Sequence, residues 1–138
     1  MSEQTPRGIR NNNPGNIRNS DKTDWQGEVD ASQKNDKSFE EFEDMPHGYR
    51  ALIKLLQNYR KKWGCITIAD FIKRWAPPTE NNTSSYINSV CKDLQVPSTY
   101  VPDIEDRETM CAMAAAISYV ENGVPAVMDD VYKGWDLL

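Results

Sequence analysis

From residue 45 onward, apolar residues recur at the three- and four-residue spacing of a helix face; before that point they do not. Tyr49, Leu52, Ile53, Leu56 and Tyr59 form one stripe, widened by Leu55 and Trp63, with Pro46 suited to a first turn and Gly64 to a stop. Thr67 can cap a second helix in which Ile68, Phe71, Ile72 and Trp75 share a face, and Pro77 with Pro78 ends it. A third starts near Thr83 and carries Tyr86, Ile87, Val90 and Leu94 inward. A proline-bearing connector, residues 96–103, leads to a fourth helix over 106–123, and Pro125 can open a short fifth with Val127, Met128 and Val131. The pattern predicts a mainly α protein with five helices around one core.

The first 44 residues are rich in turn formers: Pro6, Gly8, Asn11, Asn12, Asn13, Pro14, Gly15, Asn16 and Gly27. Interspersed Ile9, Ile17, Trp25, Val29, Phe39 and Phe42 give this third apolar anchors, so an ordered but irregular region is expected. Residues 25–29 and 38–42 can pair as a small antiparallel hairpin.

The fourth helix places Met110, Met113, Ala114 and Ile117 on one face. Glu121 follows Ile117 by four residues and Ala114 by seven, so at about 100° per residue its side chain leaves in nearly their direction. A carboxyl at the rim of a core is partly desolvated, which disfavours its charged form and suits a general acid. The competing reading is a last-turn glutamate turned to solvent or capping a neighbour.

Two further polar segments lie where the apolar period stops. In RGIRNNNPGNIR, residues 7–18, the asparagines either bond their own turn or present amides to sugar hydroxyls and acetamido groups, with Asn12, Asn13 and Asn16 as the candidates. Arg7 and Arg10 are expected to hold this loop to the helical part. In RWAPPTENNTSSYI, residues 74–87, Asn82 or Thr83 is a natural N-cap, yet Trp75, Glu80, Asn81, Asn82, Thr83 and Tyr86 together also suit a carbohydrate subsite. Asn122, after Glu121, either finishes the helix or bonds substrate.

Size and charge narrow the choice. With 138 residues, four Trp, six Tyr and three Phe, the chain can bury a core as one domain, residues 1–138. A net charge of −5 argues against phosphate-backbone binding, so no nucleic-acid partner is expected. Cys65, Cys91 and Cys111 are odd in number and read as thiols of a reducing compartment; one histidine, His47, argues against zinc, and neither metal nor cofactor is expected. With no apolar signal or membrane-spanning run, the expectation is synthesis in the cytoplasm without membrane insertion, and delivery to the cell wall or periplasm by a phage particle, a holin or a secretion system.

Taken together, RGIRNNNPGNIR, the Trp25-Gln26-Gly27 segment, GYRAL, WAPPTENNTSSYI and the late ENG resemble a small family of phage and prophage proteins often called structural or virion proteins. More distantly, NNNPGNIR, Trp25-Gln26-Gly27, residues 39–42 and WAPPTENNTSSY resemble, in order, segments of lysozyme-like bacterial glucosaminidases. That second resemblance implies an α+β lysozyme-like fold, circularly permuted, because the helix ending in the acid stands after these segments instead of before them. It also implies cleavage of peptidoglycan glycan strands, by hydrolysis or lytic transglycosylation, with Glu121 as general acid and Glu80, then Glu28, as the second carboxylate. Two alternatives keep the same chain: a non-catalytic virion or cell-wall-binding protein, and a secreted antibacterial effector.

Overall fold

The computed structural model describes residues 5–20, 23–79 and 81–138, and Glu80 therefore lies outside the described residues. Among them are six α-helices: α1 (Arg7–Arg10), α2 (Met45–Trp63), α3 (Ile68–Trp75), α4 (Thr83–Leu94), α5 (Arg107–Asn122) and α6 (Met128–Asp136). Helices α2 to α5 fall where the apolar period puts them, whereas α6 starts at Met128 and not at Pro125, leaving Val127 outside it and exposed; the single turn α1 sits inside the turn-rich segment and was not expected.

The ends have chemical causes. Asp44 accepts from the His47 backbone N–H at the start of α2, Thr67 and Asp70 form a reciprocal capping box on α3, and Asn82 and Asp106 cap α4 and α5. Gly64 and Gly123 end α2 and α5 at φ of 70° and 72°, where a Cβ would be strained. Helix α6 begins at Met128, three residues beyond Pro125.

Helix α2 is the hub: α3, α5 and α6 pack on it, and α4 bridges α3 and α5. The stripes meet in one core where Leu52, Ile53, Leu56, Ile68, Phe71, Ile72, Met110, Met113 and Ile117 are fully buried. Burying one such side chain stabilises by roughly 1.5–3 kcal/mol. Ile17 and Phe42 pack with Ala51 of α2 as a smaller cluster, which docks the N-terminal third onto the bundle. Cys65 and Cys111 are buried and Cys91 half-buried, all as free thiols. No helix among the described residues is long and apolar enough to cross a membrane.

The hairpin is corrected. Among the described residues there is no strand, only two isolated antiparallel bridges, Arg18 with Phe39 and Glu28 with Phe42. The cause is competition for one segment. Residues 38–42 give Ser38 O, Glu40 N–H and Phe42 N–H to the asparagine loop, through Asn19, Ile17 and Asn11, while Val29 and Gly27 bond Glu41 and Glu43 on the other side. Shared between two neighbours, neither of them extended, the segment builds no regular ladder. An α+β sheet element is thus absent from the described residues.

Candidate functional site

Helix α5 sets the site. Met110, Met113, Ala114 and Ile117 are fully buried, and one turn further along the same stripe Glu121 emerges half-buried into a cavity of about 410 Å³. Asn16, Arg18, Arg74, Trp75 and Asn81 form its walls with Glu121. Phe39, Leu55, Tyr59 and Pro77 are also among its walls.

The Glu121 carboxyl is held at both oxygens. Asn16 Nδ2 donates to Oε1 at 3.0 Å, and Tyr86 Oη donates to Oε2 at 2.7 Å. The direction of the second bond is fixed by its neighbour: the Trp75 indole, which can only donate, gives its N–H to Tyr86 Oη at 3.1 Å, so the phenol hydrogen is left for Glu121. Burial first, and the Glu121 charge second, push the Tyr86 phenol far above its ordinary range, so it stays a donor at any biological pH. Each carboxyl oxygen keeps a second lone pair, and Glu121 remains a cavity wall.

The N-terminal loop is fitted closely to this end of α5. Asn16 adopts a left-handed backbone, φ 50°, as Asn12 does at φ 53°. Asn122 Nδ2 donates to Pro14 O at 2.9 Å and to Ser118 O at 3.0 Å, pinning the loop to the helix. Gly8 makes the fit possible: a Cβ there would lie 2.4 Å from Asn122 Oδ1 and 3.0 Å from Asn16 Oδ1. Gly15 does the same for Trp75, whose ring would stand 2.9 Å from a Cβ.

The sequence-derived candidates therefore separate. Asn16, Trp75, Asn81 and Glu121 meet at the cavity, with Tyr86 buried behind Glu121. Asn12 donates to Phe42 O at 3.1 Å, and Asn13, fully buried, bonds Ile17 and Glu40 through the backbone. Asn82 caps α4, and Thr83 donates to Ala76 O at 2.6 Å; both serve the chain rather than the cavity. Asn122 is buried at the loop junction. Arg7 bonds Asp36 twice, at 2.6 and 2.7 Å, and keeps that carboxyl well below the usual range; the pair ties two stretches of the N-terminal third to each other and not the loop to the helical part, and Arg10 makes no comparable ion pair among the described residues. Sequence reasoning missed Arg18, Phe39, Tyr59 and Arg74 as walls; an aromatic or arginine beside each polar segment was the available signal.

Glu28, the reserve second acid, is elsewhere. It is not a wall of this cavity but faces Glu40, which is fully buried and paired with Lys34 Nζ at 3.2 Å. Glu28 Oε1 and Glu40 Oε2 are buried with no donor. Burial first, and Glu40 second, push the Glu28 carboxyl up to about 7. A buried carboxyl beside a second one carries its charge at a cost, which is why Glu28 holds its proton to higher pH than a surface glutamate.

No family model matches the chain. Over 136 residues it is 38% identical to Protein P5 of Pseudoalteromonas phage PM2, in a match spanning 96% of this chain and 82% of that one.

Proposed function

The chain belongs to the family of phage PM2 Protein P5, and from that premise we propose that it is a phage-type protein that cleaves the glycan strands of peptidoglycan, on a permuted lysozyme-like domain. The observation that carries the reading is Glu121: a carboxyl at the end of a buried stripe, fixed by Asn16 and Tyr86, in a cavity with an indole wall.

In this reading the Glu121 carboxyl delivers a proton to the glycosidic oxygen as the bond to the anomeric carbon breaks. The oxocarbenium-like charge is met by the substrate acetamido group or by Glu80. Glu121, now a carboxylate, takes a proton from the attacking hydroxyl: water gives hydrolysis, and the 6-hydroxyl of the same sugar gives an anhydro product. Trp75 and Asn81 supply a stacking face and an amide for the sugar rings. The protein would reach the wall by a phage particle, a holin or a secretion machine.

A second reading, a virion or wall-binding protein without turnover, is favoured by the lack of any second carboxylate on the cavity walls among the described residues. Turbidity of purified sacculi separates the two. Wild type should clear the suspension and Glu121→Gln should not; binding without clearing by wild type selects the second reading, and equal clearing by both removes Glu121 from the chemistry.

A further inference from the structure

The cavity carries a charge that the whole molecule does not. In a chain of net charge −5, its walls include two arginines, Arg18 and Arg74, against one described carboxylate, Glu121. Arg18 lies with its guanidinium carbon 5.5 Å from the centre of the Phe39 ring.

Arg74 is the more informative of the two. It is exposed on the last turn of α3, one residue before Trp75, and its guanidinium carbon sits 3.9 Å from the centre of the Trp63 ring and 5.4 Å from that of Tyr59. Its neighbours are aromatic faces; among the described residues it makes no ion pair with a carboxylate. Stacking fixes the plane of a guanidinium and leaves its in-plane N–H groups directed outward, the arrangement that accepts a carboxylate through two parallel bonds. Tyr59 is itself a wall, its ring centre 6.3 Å from that of Trp75, so this fork stands at the cavity edge near the indole.

We propose that Arg74 is a specificity residue: it takes the carboxylate of an acidic amino sugar, and so directs the groove to glycans that carry a lactyl carboxylate and away from uncharged chitin-type chains. This rests on the glycan-cleaving reading of the same cavity. N-acetylmuramic acid and N-acetylglucosamine share the acetamido group and ring, and the lactyl ether is their difference.

The test is binding by calorimetry at low salt, with three probes: chitotetraose, a peptide-free tetrasaccharide alternating the two sugars, and that tetrasaccharide with its carboxyls reduced to alcohols. Wild type should favour the acidic tetrasaccharide over chitotetraose by about fivefold, the scale of one exposed charge pair. Reduction of the carboxyls, Arg74→Gln, or raised salt should each abolish that preference for the acidic probe over chitotetraose. Equal affinity of wild type for the acidic and reduced probes overturns the inference and leaves the glycan reading standing. Binding of none of the three overturns both. The reduced probe acts on the wild-type protein, so the result does not depend on the variant folding.

Discussion

Glu121 and Glu28 are both half-buried glutamates, one facing the cavity and the other facing a second carboxyl group. Glu121 meets two donors, Asn16 and Tyr86; Glu28 meets Glu40 and leaves an oxygen without a partner. Displaced titration is a common mark of a functional site, and it points here to Glu28. Cavity geometry points to Glu121. The contrast teaches that a shifted carboxyl records what its neighbours cost it, which a structural pair produces as readily as a catalytic one, whereas a site also needs open space beside the group.

The sharpest way to break this comparison is to remove each carboxyl in turn. Glu121→Gln should lower the rate on sacculi by about 10²–10⁴-fold, the usual share of a general acid, while Glu28→Gln stays near wild type. The opposite pattern would transfer the acid to the Glu28 and Glu40 pair. Next in size is Tyr86→Phe, which takes one donor from Glu121 and strands the Trp75 N–H. A fall of about tenfold in rate is expected, from one lost hydrogen bond of roughly 1–1.5 kcal/mol, with an unchanged circular dichroism spectrum. An unchanged rate would mean that Asn16 alone orients the carboxyl.

The smallest effect is read in stability against pH. The folded Glu28 value, about 7, lies above that of an unfolded glutamate, near 4.5, so its contribution is fully present below about 4.5 and is lost as pH rises through 7. Melting of wild type should therefore weaken between pH 5 and pH 8 relative to Glu28→Gln, which has no proton to lose there. Parallel melting curves for the two proteins would show that the fold does not raise the Glu28 carboxyl.

Much of the helical part was legible because burial imposes a period and caps impose residue types. Thr67, Asn82, Gly64 and Gly123 act where the sequence places them. Gln95 was not legible: it ends α4 in the left-handed region at φ 58°, a conformation its residue type does not advertise. The asparagines show where such reading stops. Asn12, Asn13 and Asn16 share one chemistry, yet only Asn16 reaches the cavity, because the turns around it are settled by tertiary partners such as Phe42, Glu40 and Asn122. The stripe that carried Glu121 to the rim was local and could be counted; the meeting of Glu28 with Glu40 depends on two irregular segments and could not.

The bond from Asn16 to Glu121 joins positions 105 residues apart, and that from Asn122 to Pro14 joins positions 108 apart. A contact between such distant positions is rewarded only after the entropy of closing that loop has been spent, so it ranks among the late events of folding. The expected order is therefore that the helices form and pack on α2 before the asparagine loop docks, so that the helical signal arrives ahead of the groove. Trp75 reports the difference, because its ring lies against Gly15 only once the loop has docked. In stopped-flow refolding its fluorescence should settle in the last phase, behind the far-ultraviolet signal, and that lag would time the moment at which a folded scaffold acquires its site.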